Sequence, residues 1–332
     1  MHSMDNSSDS ISGSSFHPPE KQKISTEYEQ RRSSYDKLIM EVKYILKEAF
    51  EKRQIKGSAF QKRVKKFESF YEKIIRKQID KNFFEAIEDI AGIRIICVYR
   101  SQLIIIEEAI RSSLNVISAN LIRNHPYYSS FGYLSDHYIV RIPQHCSGAR
   151  YDSIKDLKCE IQVRTISMHA WATVSHHLDY KQDVDIPSNL KNDFYALSGV
   201  FYVADSLFEK FKVEREKSLK KLRNRVKQNK FDFNSEMNLD TMRAYILWKF
   251  PDRRMFSFKA DFSDLLNDLA VYSIKDFRTL DTLIEENYAW VIQYEKITGN
   301  RRHDKEKPMY TGSGVIRIIL YNRLKKAQSE GK

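Results

Sequence analysis

The spacing of apolar positions changes period several times along the chain, and each change marks an expected element. Leu38, Val42, Ile45, Leu46 and Phe50 recur at helical spacing, which predicts a long helix after residue 25, with Gly57 closing the segment. Over residues 58–79 a helical wheel gathers Phe60, Val64, Phe67, Phe70, Tyr71, Ile74 and Ile75 on one side. Lys62, Lys65, Lys66, Ser69, Lys73, Arg76 and Lys77 fall on the other side, with Arg63 near the seam. A second helix is expected there. Its cationic face is either an ordinary solvated surface or a cradle for phosphates, because Glu68 and Glu72 lie near the opposite border and do little to relieve it.

At Ile90 the pattern becomes a short, nearly continuous apolar run, GIRIICVY over residues 92–99, which reads as a central strand buried on both faces. A helix over 102–114 follows, then strands at 115–122, 136–142 and 157–164, the last two alternating as half-exposed strands do. Residues 168–180 return to helix, with Trp171, Val174 and Leu178 on one side. After the turn at Ile186-Pro187-Ser188 a long helix begins near Asn189 and grows dense in Lys and Arg over residues 210–230, where Leu219, Leu222 and Val226 form an apolar seam. Phe231-Asp232-Phe233-Asn234 breaks it, and residues 238–328 read as several short helices punctuated by Pro251, Pro308 and Gly312-Ser313-Gly314. The expected plan is a disordered polar, Ser-rich tail over 1–24, an α+β domain with a mixed sheet over 25–187, a basic helical linker over 188–234 and a helical domain over 235–332.

Composition narrows the partners. With 42% hydrophobic and 12% aromatic residues, the 332-residue chain can build real cores. A net charge of +12 favours polyanions such as nucleotides or RNA. Cys97, Cys146 and Cys159 are scattered without CxxC spacing, which suits a reducing cytoplasm. No run of 18 apolar residues exists and the first residues are not those of a secretory leader, so no membrane partner is expected. The P-loop, Rossmann, nucleophile-elbow and HExxH patterns are all missing.

Two acids stand out. Asp89 precedes one strand and Glu160 lies inside another, where acids are disfavoured unless paired or bound to metal. Carboxylates from two adjacent strands facing one cleft make a seat for Mg²⁺, which completes its shell with substrate phosphates. Plain salt bridges, Glu160 to Arg164 or Asp89 to Arg94, are the competing reading, and spacing alone leaves the two level. Between the acids, Gly132-Tyr133-Leu134-Ser135-Asp136-His137 offers a ring for base stacking and a histidine for a phosphate or ribose, or simply a capped strand with a core tyrosine. Farther on, Trp248-Lys249-Phe250-Pro251-Asp252-Arg253-Arg254 reads as a helix end with a packed Trp, or as an RNA contact.

Taken in order, these pieces resemble the synthetase domain of the RelA/SpoT family, the alarmone (p)ppGpp synthetases, over about residues 30–185. The matching stretches are Arg63-Val64-Lys65 with Ser69 and Lys73, Asp89 to Arg94, and Gly132-Tyr133 with Ser135 and His137. The strongest is the block from Glu160-Ile161-Gln162-Val163-Arg164-Thr165 through His169-Ala170-Trp171-Ala172 and His176 to Tyr180-Lys181. The resemblance implies a nucleotidyltransferase-like mixed sheet and transfer of the β,γ-pyrophosphate of ATP to the 3′-hydroxyl of GDP or GTP. It implies an ATP side of Arg63, Lys65, Ser69, Lys73 and Arg76, with Arg63 toward adenine and the lysines toward phosphates. Asp89 and Glu160 would be catalytic and hold Mg²⁺, Glu160 being also a candidate base. The acceptor side would be Tyr133, stacked on the base, with Ser135, His137, Gln162 and Arg164.

Four positions depart from the family pattern. Ser129 and Phe131 stand where a Lys and an Asn are usual, Leu134 where Arg or Gln is usual, and Ser175 where an acid is usual. The donor half of the site thus looks intact and the acceptor half altered, which admits two alternatives: the same chemistry on the 3′ end of tRNA, as in toxic relatives, or an inactive nucleotide or RNA sensor. No His-Asp hydrolase block precedes the domain, so the reverse reaction is not expected. The helical C-terminal region leaves room for regulation or a homo-oligomer.

Overall fold

In a computed structural model of the chain, which describes residues 16, 18–121, 135–178, 186–254, 259–299 and 310–330, the helical repeat of Leu38, Val42, Leu46 and Phe50 folds as α1 (Lys21–Lys52), with all four side chains buried. The helix starts four residues inside the segment expected to be a tail, because Ile24 and Tyr28 also reach the core. The rest of that tail, apart from residues 16 and 18–20, lies outside the described residues.

The helix expected over 58–79 is corrected. Residues Ala59–Val64 form strand β1, and only Phe67–Arg76 is helical, as α2. The wheel failed because Phe60 and Val64, four apart, satisfy both a helical stripe and a strand's alternation. The neighbour settles the choice: β1 pairs antiparallel, over its whole length, with residues Ala91 to Ile96 of β2 (Ala91–Cys97). Gly57 makes the turn into β1 at φ +75°, and a Cβ there would sit 3.0 Å from Val98 Cγ2. Gly57→Ala is therefore expected to cost about 1–2 kcal/mol, read by denaturant unfolding; a variant as stable as the parent would show that the turn relaxes without strain.

A single-turn helix, α3 (Phe83–Ala86), precedes β2, and α4 (Ser101–Ser113) follows it. Then come β3 (Asn115–Asn120), β4 (Asp136–Arg141), β5 (Cys159–Thr165), α5 (Ile166–His177) and α6 (Lys191–Lys227). The sheet runs β1-β2-β5-β4-β3; β2 and β5 are parallel and every other pair is antiparallel. This is the expected α+β fold with a mixed sheet. Alternation splits it into two faces. Ile93, Ile95, Tyr138, Val140, Ile161 and Val163 join α1 and α4 in one core, leaving Gln61, Arg63, Arg94, His137, Glu160, Gln162 and Arg164 on the opposite face. Of the apolar side expected on α5, only Trp171 is buried, against Phe194 with ring centroids 4.4 Å apart; Val174 and Leu178 are exposed, since the core is met only by the first turns of the helix.

The chain divides into two compact units, residues 1–210 and 211–332. The second holds α7 (Leu239–Lys249), α8 (Lys259–Val271), α9 (Phe277–Gly299) and α10 (Gly312–Glu330) around Tyr245, Leu265, Phe277, Ile284 and Ile316. Helices α9 and α10 are longer than the short helices expected, and Gly312 opens α10. Pro251 follows the end of α7, whereas Pro308 lies outside the described residues. Trp248 stacks on Phe231 and Arg253 is buried, donating to both oxygens of Glu295 at 2.7 and 2.8 Å, so this stretch packs as a helix end. All three cysteines are free, and among the described residues no helix is long and apolar enough to cross a membrane.

Candidate active site

The polar face of the sheet is built by register. Gln61, Arg94, Gln162 and His137 are successive cross-strand partners, which aligns them in one row across β1, β2, β5 and β4. One residue pair away, Arg63 lies opposite Gly92, and Gly92 opposite Glu160. A Cβ on Gly92 would stand 3.5 Å from Arg63 Cγ, so the missing side chain lets the Arg63 stem lie across the strand.

Hydrogen bonds join the row. Ser135 Oγ and His137 Nε2 are 2.8 Å apart, and His137 Nδ1 lies 3.0 Å from Glu160 Oε1. Gln162 Nε2 donates to Glu160 Oε2 at 2.9 Å, while its Oε1 accepts from Arg164 at 3.0 Å and from Arg94 at 3.4 Å. Arg94 also donates to Gln61 at 3.2 Å. Glutamine is suited to the centre of this chain because its amide donates toward the acid and accepts from the guanidinium groups at once.

At the mouth of β2, Asp89 meets Lys65 Nζ at 2.8 Å and Lys73 Nζ at 2.9 Å. Lys65 is set by the backbone: its N–H extends the ladder to the Ile90 carbonyl at 2.8 Å, and its own carbonyl accepts from the buried Tyr28 hydroxyl. Ser69, Lys73 and Arg76 follow one another at i, i+4 and i+7 on α2, so they share the face that Lys73 turns to Asp89. The alternative salt bridges, Asp89 to Arg94 and Glu160 to Arg164, do not form.

Burial alone would push both carboxyls up. The Lys65 and Lys73 ammonium groups outweigh it at Asp89, and the bond and charge of His137 with the Gln162 amide outweigh it at Glu160, so both stand below the ordinary carboxylate range. The Asp89 charge works the other way on Glu160, a sign that the two acids feel one another. Among the guanidinium groups the opposite strain prevails. Burial and the Arg94 charge pull Arg164 down to about 10, and burial with the Arg63 charge lowers Arg94. Burial, then Arg94 and Arg164, also lowers His169 on α5. Three arginines crowd a face whose nearest acid is Glu160, an arrangement that draws an anion.

Asp89 and Glu160 are two carboxylates that could take part in holding a divalent cation. Two carboxylates without a third protein ligand suit Mg²⁺, which keeps sites for water and phosphate oxygens, and do not make a zinc cage; among the described residues no group of three or more His, Cys, Asp and Glu is placed for a metal. Tyr133 lies outside the described residues, with Ser129, Phe131, Gly132 and Leu134 of the same loop and Tyr180-Lys181 beyond α5. The resemblance assigns no catalytic or binding role to Arg94, Gln61 or His169. Reading β1 as a strand would have exposed the first two, since Gln61 and Arg63 alternate onto the face of Arg94.

A family model described as a region found in RelA / SpoT proteins matches residues 62–185, the span that carries all of this face but Gln61. Two curated proteins of Bacillus subtilis (strain 168) are similar. GTP pyrophosphokinase YwaC is 31% identical over 148 residues, 43% of this chain and 68% of its own length. GTP pyrophosphokinase YjbM is 36% identical over 133 residues, 39% of this chain and 59% of its own length. The crystal structure of small alarmone synthetase 1 from Bacillus subtilis matches 58% of this chain and 99% of that one, at 27% identity and a TM-score of 0.47. The chain belongs to the RelA/SpoT family and is a pyrophosphokinase-like enzyme.

Proposed function

We propose that this enzyme transfers the β,γ-pyrophosphate of ATP to the 3′-hydroxyl of GDP or GTP, with Mg²⁺ held by Asp89 and Glu160. The observation that carries the reading is that Asp89, in the turn before β2, and Glu160, on β5, are near enough for the charge of one to act on the other, beside the Lys65–Lys73 pair and the Arg63, Arg94 and Arg164 groups. The acceptor oxygen attacks the β-phosphorus of ATP, the bond from that phosphorus to the bridging oxygen of the α-phosphate breaks, and AMP leaves. Glu160 takes the hydroxyl proton, and His137 and Gln162 hold its carboxylate in line. Lys65 and Lys73 exchange Asp89 for the phosphates, Ser69 and Arg76 extend that contact along α2, and Arg63 lies toward the adenine. Arg164, Gln162, His137 and Ser135 face the acceptor, with Tyr133 stacked on its base. Mg²⁺ supplies charge neutralisation of the triphosphate. Such transfer needs positioning and charge more than covalent catalysis.

A second acceptor, the 3′ end of tRNA, draws support from α6. Residues 217–230 carry seven cations and no acid, and with Lys217 paired to Glu214 and Arg225 to Asp232, no ion pair among the described residues engages Lys220, Lys221, Arg223, Lys227 or Lys230. RNA held there is released steeply by salt. One experiment separates the readings: incubation with γ-labelled ATP and Mg²⁺ in the presence of GDP, GTP or tRNA. The expected result is AMP together with label on the guanine nucleotide. Label on tRNA alone moves the acceptor, and label on none of them reduces the chain to a nucleotide sensor.

A further inference from the structure

We propose that Asp205, on α6 and outside the matched span of residues 62–185, is a positioning residue for the acceptor-facing end of β5. The inference rests on the reading of this sheet face as the site of transfer. Thr165 ends β5 directly after Glu160, Gln162 and Arg164, and begins α5, whose first turn carries His169. Its side chain has two tasks. As the N-cap of α5 it accepts the Met168 N–H at 3.1 Å, which leaves the hydroxyl proton needing an acceptor in a place with no solvent, since Thr165 is 0% exposed. Asp205, itself 1% exposed, provides that acceptor: Thr165 Oγ1 donates to Asp205 Oδ2 at 2.5 Å. The proton is thereby directed away from Met168, and the oxygen lone pairs stay turned to the helix end.

The backbone on either side is tied as well. Cys97 Sγ donates to the Arg164 carbonyl at 3.3 Å, the Thr165 N–H lies 3.3 Å from Met168 Sδ, and Thr165 stands in register with Cys97 of β2. α6 is fixed nearby at two further points. Trp171 packs on Phe194, and Glu209 accepts the Ser101 N–H at the start of α4 at 3.0 Å. The exit angle of β5, and with it the aim of Arg164 and His169, is therefore set by a carboxylate that arrives from a helix some 40 residues later in the chain, as the separation of 205 from 165 gives. A residue that merely docked α6 would need no link to the hydroxyl that caps α5.

Steady-state kinetics on the full chain, varying GDP and ATP separately, test this. Asp205→Ala and Thr165→Val are expected to lower kcat/KM for the acceptor by roughly ten- to a hundred-fold, the scale of a small misplacement at a reacting centre, while KM for ATP stays within about twofold. Thr165→Ser, which keeps the hydroxyl, is expected to recover activity to within about threefold. Should Asp205→Ala fail to fold, the near-isosteric Thr165→Val carries the comparison. Variants with lowered melting temperatures and unchanged acceptor kinetics would reduce Asp205 to a docking contact and overturn the proposal. Glu160→Gln is run alongside. If it loses transfer while Asp205→Ala and Thr165→Val do not, only the positioning role is lost; if it transfers like the parent, the reading of the whole face is overturned.

Discussion

Glu160→Gln is expected to lower pyrophosphate transfer by about a thousand-fold while leaving the fold in place. The figure is what removal of a general base gives, typically 10²–10⁴-fold, when the same change also removes a cation ligand. The substitution should be tolerated because its neighbours can adapt. The new side-chain oxygen still accepts from Gln162 Nε2, and the new amide N–H donates to His137 Nδ1 once that ring carries its proton on Nε2, toward Ser135. The cost to stability is then about 1 kcal/mol, that of one weakened hydrogen bond. AMP release and product separation give the rate, and near-ultraviolet circular dichroism with a thermal melt gives the fold. A folded variant within tenfold of the parent rate would remove Glu160 from the chemistry, and with it the reading of this face as the site of transfer.

The sequence made the acids visible because both break a rule that can be read without coordinates. Glu160 interrupts an alternating strand, and Asp89 stands at the entrance of an apolar one. The parallel pairing of β2 with β5 then brings the two segments side by side, as adjacent strands were expected to be. The row from Gln61 through Arg94 and Gln162 to His137 was not legible, because cross-strand neighbours depend on register, and register emerges only when four strands have paired. The same holds for the lysines. Lys65 and Lys73 were placed on one helical face, yet one follows a strand and the other sits on a helix; they meet because Asp89 draws them together across the β1–β2 ladder. Asp205 carries only a weak local signal: it stands four residues after Phe201, on the side of α6 that packs on Trp171, and it gains a role only when folding buries it against Thr165.

Asp89→Asn carries the second large effect, and its sign is what makes it informative. In the parent the carboxylate neutralises Lys65 and Lys73 and, with no cation present, repels a triphosphate. Its removal frees both ammonium groups for the phosphates and deletes the repelling charge, a change of order 1–2 kcal/mol for charges that interact through an environment between bulk water, where a pair about 4 Å apart is worth about 1 kcal/mol, and a protein surface, where it is worth about 4 kcal/mol. Metal-free ATP should consequently bind about ten times more tightly, as titration calorimetry in the presence of EDTA would record. Turnover with Mg²⁺ should fall by about a thousand-fold, because one of the two carboxylates proposed for the cation is gone. Two unpaired lysines crowded in a largely buried site will also lower the melting temperature, and ATP should restore it by taking the place of the lost anion. Tighter ATP binding with failed turnover requires Asp89 to serve the metal rather than the nucleotide. Weaker metal-free binding together with a proportionate loss of rate would mean that Asp89 only holds the two lysines in position, and the cation would then need a different seat on this face.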